Sequence, residues 1–214
     1  MADDRLFFEL VDRANSLGKY DFFLKNMHAE TSLEKEVENF LKKKKVVRVL
    51  DLGCGEAGAL KDLKKMFGKK VFVAGIDLIK TEGLDSFVEG DTLEADFPKD
   101  IDIAVSFRAM HEFHPIEKVF EKLCQSLSAG GKAFLSVRCQ QFLGDRLLFH
   151  GSLTSADMDF LKSLAKKNEF LGVKVKAVEV KEKKNVVFFD PKTARKPPAQ
   201  LEIIHGINFF LEKP

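Results

Sequence analysis

The sequence predicts an α/β chain built on a doubly wound, mostly parallel sheet with an antiparallel C-terminal edge. Two observations predict it. Short, almost continuously apolar runs alternate with helical patterns through the middle of the chain, which is how strands buried on both faces of a parallel sheet are written. After the last helical pattern, several β-rich segments follow one another, as strands added antiparallel to a sheet edge do.

The elements follow in order. Leu6, Phe7, Leu10, Val11, Ala14 and Leu17 recur at helical spacing, and Gly18 predicts a stop. Residues 19–27 read as irregular or as a short helix. Thr31 or Ser32 is placed to cap a helix reaching about residue 44, whose lysine-rich end suits the negative pole of the helix dipole. Residues 46–52 (VVRVLDL) are a strand that runs into Gly53-Cys54-Gly55, and Leu60, Leu63, Met66 and Phe67 mark the helix behind it. Further strands are predicted over 71–76, closed by Asp77, and over 86–89, 101–106 and 132–137, with a helix over 115–127. A helix over 155–167 precedes strands over 173–180, 186–189 and 201–211, and the basic stretch 192–198 (KTARKPP) is a loop between the last two.

With 214 residues, 45% of them hydrophobic and 32% charged, the chain has the length and core of one domain over residues 1–214. The 35 basic and 33 acidic side chains, net +2, exclude a protein that is basic throughout, but not a local basic patch. Cys54, Cys124 and Cys139 are too few and too scattered for a disulfide framework or a metal-ligand set, which points to a reducing, cytoplasmic setting without a bound metal. No apolar run approaches the roughly 18 residues that span a bilayer, and Asp3, Asp4 and Glu9 do not suit a secretory signal, so no membrane partner is expected. Nothing in the sequence sets an oligomeric state. The aromatics are 21 Phe, one Tyr and no Trp, a filling with bulk and few polar handles.

The strongest chemical signal is Val49-Leu50-Asp51-Leu52-Gly53-Cys54-Gly55-Glu56-Ala57-Gly58. A strand that ends in glycines and opens a helix brings bare backbone against a ligand at the carboxyl end of the sheet. Gly53, Gly55 and Gly58 also fit a dinucleotide fingerprint, and Asp77 stands where a ribose hydroxyl partner is expected. Asp51 separates the readings. A dinucleotide strand carries an apolar residue at that position, whereas a carboxylate at the rim of a sheet needs a donor to offset its desolvation, which a cationic or amino-bearing ligand would supply.

At this point the sequence resembles the class I S-adenosylmethionine-dependent methyltransferases. VLDLGCGEAG is similar to their first motif, VAGIDL to the second strand with its ribose-binding acid, and FVEGDTLEADF to the adenine motif. IDIAVSFRAMHEF resembles the fourth strand and the segment after it, and LSAGGKAFLSV the turn and fifth strand, with Ala129 where proline is common. Ala57 stands where these enzymes often place their third glycine, followed here by Gly58. The resemblance implies a Rossmann-like fold, with residues 1–45 as a helical N-terminal lid, 46–138 as the cofactor-binding core and 139–214 as a C-terminal helix and antiparallel strands. It implies S-adenosyl-L-methionine as the cofactor. Asp51, Gly53, Cys54 and Gly55 would hold its methionine end, Asp77 and Leu78 its ribose side, and Asp91 and Thr92, or else Asp96 and Phe97, its adenine. Ser106 and Phe107 would lie beside the transferred methyl.

Candidates for work on the acceptor follow the fourth strand: Arg108, His111, Glu112 and His114. His111 is suited to deprotonate a hydroxyl or amine, and Arg108 to anchor a carboxylate or phosphate. The structural reading of the same HEFHP stretch is that it only starts the next helix. Tyr20 and His28, in the N-terminal segment, read as packing rather than chemistry. Ser106-Phe107-Arg108-Ala109 lacks the Pro-Pro-aromatic tetrapeptide of amino methyltransferases, and no Pro-Cys nucleophile is present there. What remains resembles the group acting on small molecules, at a nucleophilic O or N.

Two alternatives stand beside that reading. Residues 161–200 carry 11 basic and 4 acidic side chains, so the region around 174–196 could recruit RNA, or a protein, as the methyl acceptor. A non-catalytic scaffold that binds the cofactor is the other.

Overall fold

A computed structural model describes residues 16–26, 31–107, 109–138, 153–186 and 199–214. Eight strands form one sheet in the order β3-β2-β1-β4-β5-β8-β7-β6. They are β1 (Val47–Leu52), β2 (Val71–Asp77), β3 (Ser86–Glu89), β4 (Ile101–Phe107), β5 (Leu127–Arg138), β6 (Glu169–Phe170), β7 (Val173–Val186) and β8 (Ala199–Glu212). The first five are parallel, and β8, β7 and β6 extend the β5 edge antiparallel. The α/β fold with its mostly parallel sheet and antiparallel C-terminal edge is therefore as the sequence predicts.

Strand residues divide by parity between two cores, as the period of two requires. Leu50, Leu52, Ile76, Ala104 and Leu135 face the helices Ile116–Ser126 and Ser155–Ala165. Val47, Val49, Val71, Val73, Ile103 and Val105 face the opposite side, with Leu24, Val37 and Leu60 of the helices Leu17–Asn26, Leu33–Leu41 and Gly58–Phe67. Each fully buried leucine contributes about 1.5–3 kcal/mol. Asp51 shares parity with Val49, so its carboxyl is directed to the side of the N-terminal helices.

The helix ends are local in origin. Ser32 caps Leu33–Leu41 by accepting from Lys35 N at 3.1 Å, with Glu34 and Glu36 in the first turn at the positive end of the dipole. Thr154 and Asp157 form a reciprocal capping box on Ser155–Ala165. At the N-terminal rim of the sheet, buried Asp102 ties three segments together, accepting from Arg48 N at 2.9 Å, Ser128 Oγ at 2.7 Å and Lys44 Nζ.

Four expectations change. Gly18 does not end a helix: it lies in the first turn of Leu17–Asn26, where backbone N–H groups have no intrahelical acceptor to lose. The helix after Ser32 stops at Leu41 rather than near residue 44. The strand expected over 132–137 begins at Leu127 and carries a register shift against β4, with Gly130 at φ +74° and no room for a side chain at Gly131. The strand expected over 173–180 continues to Val186 as β7, because it pairs with β8 along that length, while residues 187–189 of the strand expected over 186–189 lie outside the described residues. The helix expected over 5–17 lies almost wholly outside the described residues, as do residues 192–198.

Candidate active site

The carboxyl ends of β1, β2 and β4 form the rim on which the glycine loop sits. Gly53 and Cys54 donate their backbone N–H groups to Ile76 O, at 2.8 and 3.3 Å, so the loop folds back across the end of β2. Gly53 has φ +71°, and a Cβ there would stand 2.2 Å from Ala109 Cβ. Only glycine lets the loop lie this close to the segment after β4. Gly55 (φ +53°) donates to Asp77 Oδ2 at 2.7 Å, its carbonyl accepts from Thr81 Oγ1 at 2.7 Å, and Ala57 (φ +55°) starts the following helix from the left-handed region. Cys54 is buried beneath the loop, and burial pushes its thiol pKa well up, so it stays a thiol at neutral pH.

Asp51 is fully buried at the end of β1. Its Oδ2 accepts the hydroxyl of Tyr20 at 2.6 Å, and its Oδ1 has no hydrogen-bond partner among the described residues. Burial pushes this carboxyl up to about 8, against the hydrogen bond from Tyr20, which lowers it, while the charge of Asp77 raises it further. Tyr20, 3% exposed, is also raised well above its usual value, first by burial and then by the Asp51 charge. The Tyr20 ring stands edge-on to Phe107, 4.9 Å between centroids. Its helix is anchored by Leu17 N on Asp62 Oδ2 at 3.1 Å and by Asp21 Oδ1, which accepts from Leu33 N at 2.9 Å.

Asp77 bridges the loop and the turn after β2, with Oδ1 accepting from Ile79 N at 3.0 Å. Leu78 beside it is 74% exposed. Asp91 is exposed one strand further out and caps its own turn by accepting from Leu93 N at 2.8 Å, while Thr92 is buried. Asp96 is exposed, whereas Phe97 turns into the core and carries Lys122 Nζ 5.6 Å above its ring. Ser106 Oγ donates to Leu52 O at 2.8 Å, joining the ends of β4 and β1.

After β4, Arg108 lies outside the described residues. His111 is buried, with Nε2 at 3.0 Å from Glu112 Oε1. His114 Nδ1 is 2.9 Å from Asp157 Oδ2. Asp157 also accepts from Ile116 N at 2.9 Å, from Thr154 N at 2.9 Å and from Thr154 Oγ1 at 2.6 Å. Burial alone would raise this carboxyl, but those bonds hold it below the usual carboxylate range. An ionised Asp157 requires the proton on His114 Nδ1.

Thus Asp51, Gly53, Cys54, Gly55, Asp77, Ser106 and Phe107 meet at one rim, with Asp91 one strand away. Two participants were not singled out from the sequence. Tyr20 read as packing, although as the only tyrosine among 21 phenylalanines it was the one aromatic with a hydroxyl to bury. Asp157 has no sequence signal beyond its helix cap. A separate cleft of about 670 Å³ begins at the opposite rim, over β5, β8 and β7, with Glu36, Lys132, Lys174, Lys176, Phe210 and Glu212 in its lining. Its charges are mixed: Lys132 pairs with Glu36 at 2.9 Å, and Lys176 lies 5.7 Å above the Phe210 ring. Among the described residues no helix is long and apolar enough to cross a membrane.

No curated protein is significantly similar to the chain in sequence. Similar solved structures include the 1,6-didemethyltoxoflavin-N1-methyltransferase of Burkholderia thailandensis, at 17% identity over all of this chain and 91% of that one, TM-score 0.45. The YcgJ protein of Bacillus subtilis is 15% identical over 84% of this chain and 98% of its own, TM-score 0.42. A Haemonchus contortus phosphoethanolamine N-methyltransferase is 15% identical over 86% of this chain, TM-score 0.46, and there the chain spans about half of the longer protein, 53%. The family model of the methyltransferase domain matches residues 23–170, more than half of the chain and all of the parallel sheet. The chain belongs to this family, as a class I methyltransferase whose cofactor is S-adenosyl-L-methionine.

Proposed function

We propose that the chain transfers a methyl group to a nucleophilic oxygen or nitrogen of a small molecule, as one domain acting in the cytoplasm. The observation that carries the cofactor site is Asp51 Oδ1, a buried carboxyl oxygen without a partner among the described residues, at the rim where the glycine loop begins. Such an oxygen fits a cationic ligand, because burial without a donor is costly. Asp51, Gly53, Cys54 and Gly55 would hold the amino-acid end of the cofactor, Asp77 and Leu78 its ribose side, and Asp91 with Thr92 its adenine. When bound, the cofactor supplies an electrophilic methyl group on a sulfonium centre.

The chain's own residues then have two tasks. The first is orientation: a rigid rim of Gly53, Ser106 and Phe107 fixes the direction of approach, and such pre-organisation is worth on the order of 7–11 kcal/mol. The second is proton removal where the acceptor is a hydroxyl or an ammonium. His111 is our choice of base, with Arg108 as the anchor for an anionic acceptor. His114 is the competing base. Its Nδ1–H on Asp157 puts the lone pair of the neutral ring on Nε2.

A small acceptor is supported by the absence of a gripping tetrapeptide in Ser106-Phe107-Arg108-Ala109, and by Lys174 and Lys176, which stand opposite Glu212 and Phe210 on β8. Transfer of labelled methyl groups to separated metabolite, RNA and protein pools tests the proposal. Label in the metabolite fraction supports it. Label in RNA, with binding that falls steeply with salt and is lost on charge reversal of Lys192, Arg195 and Lys196, would replace it with recruitment by the basic tail. Calorimetric binding of the cofactor with no transfer to any pool would leave a scaffold.

A further inference from the structure

We propose that Tyr20 is a positioning residue for the cofactor, holding the Asp51 carboxyl through Oδ2 so that Oδ1 is kept as the acceptor for the cofactor's ammonium group. The inference rests on reading the glycine loop as the cofactor site and deepens it. Three observations carry it. The hydroxyl of Tyr20 donates to Asp51 Oδ2 at 2.6 Å across 31 residues of sequence, and both side chains are buried. The second oxygen of the same carboxyl is the one left without a partner among the described residues. The Tyr20 ring is itself fixed, edge-on to Phe107, on a helix pinned at Leu17 and Asp21.

A carboxyl that keeps one oxygen on a phenol and offers the other is oriented without being neutralised. Two donors from the chain would satisfy it and leave nothing for a ligand. With no donor from the chain, a fully buried carboxyl would turn toward whatever polar group it could reach. Because Tyr20 sits on the N-terminal helix Leu17–Asn26, the same bond ties that helix to the state of the amino-acid end of the pocket and leaves the nucleoside end outside its reach.

The test exploits that division. S-Adenosylhomocysteine carries the ammonium group, whereas 5′-methylthioadenosine shares the nucleoside and thioether but lacks the amino-acid end. Calorimetric affinities for both are measured with the wild-type protein and with Tyr20→Phe, which keeps the ring against Phe107. The proposal expects about tenfold weaker binding of S-adenosylhomocysteine, the size of one hydrogen bond to a charged group, and an unchanged affinity for 5′-methylthioadenosine. Equal loss for both ligands would make Tyr20 a packing residue of the lid and overturn the proposal, as would no loss for either. A second measurement does not depend on the variant folding. Tyr20 is the only tyrosine and the chain has no tryptophan, so native tyrosine emission reports this residue alone. At pH 9, where the Asp51 carboxyl is ionised, emission quenched relative to the unfolded chain, and unquenched in Asp51→Asn, is expected of a phenol held on a carboxylate. Emission equal in wild type and Asp51→Asn overturns the pairing. Failure of the wild type to bind either ligand would instead remove the cofactor-site reading, and this proposal with it.

Discussion

Replacing Asp51 with asparagine should make the unliganded protein more stable while removing most of its affinity for the cofactor. The Asp51 carboxyl rises from an ordinary 3.8 to about 8, first because it is fully buried. The folded chain therefore holds a proton that the unfolded chain has released, and stability falls as pH rises between those two values. One pH unit is worth about 1.36 kcal/mol, so the ceiling on this cost at pH 7.5 is about 5 kcal/mol. Relaxation around the site leaves on the order of 2 kcal/mol, the usual measured cost of a buried polar group left unpaired. Asparagine keeps the shape and can still accept from Tyr20, but brings no charge. Thermal unfolding at pH 8 should then show Asp51→Asn melting about 4–8 °C above wild type, given about 2–4 °C per kcal/mol for a chain of this size. The gap should narrow as pH falls and close below about pH 3.8, where the unfolded chain is protonated as well, and saturating S-adenosylhomocysteine at pH 8 should reverse the order by stabilising only the wild type. A variant no more stable than wild type at pH 8, or a gap independent of pH, would refute the assignment of Asp51 as a strained, ligand-seeking carboxylate.

Other substitutions probe the frame around it. Gly53→Ala forces a Cβ to 2.2 Å from Ala109 Cβ at φ +71°, and denaturant unfolding should show a loss of about 3 kcal/mol or more, with cofactor binding abolished. Asp77→Asn keeps one acceptor but not two, so the bonds from Gly55 N and Ile79 N cannot both go to carboxylate oxygens, and calorimetry should show binding weakened about tenfold in a protein that still folds. Asp157→Ala removes the acceptor for Ile116 N, Thr154 and His114 together, at a cost of about 2–4 kcal/mol at pH 7. Asp157 is held below its usual range, so its contribution is complete above about pH 4 and is lost as pH falls through the lowered value. Unfolding curves of wild type and Asp157→Ala should accordingly converge at low pH.

What could be read from the sequence, and what could not, follows from the range of the interactions involved. The parallel strands and the glycine loop are local in origin: β1 runs apolar into Gly53, and the small residues through Gly58 have to satisfy the turn themselves. The helix cap at Ser32 is equally local. The errors fall where a partner distant in sequence decides. Residues 181–185 fall between two expected strands, yet β7 continues through them because β8 lies alongside in register, Lys181 opposite Ile204 and Lys184 opposite Leu201. Gly18 reads as a stop because propensity alone does not tell the first turn of a helix from its last. The active site divides in the same way. That Asp51 needs a donor is a local deduction, since a carboxylate near the end of a buried strand cannot be solvated. Which donor it finds is not local, because Tyr20 reaches it only when the N-terminal helix packs beside the helix that follows the glycine loop. The sequence deduction allowed a single answer, a ligand. The structure divides the answer in two, with the chain's own phenol on one oxygen and the other oxygen open. That division is what a binding carboxylate requires, because direction comes from the bond that is made and affinity from the one that is not.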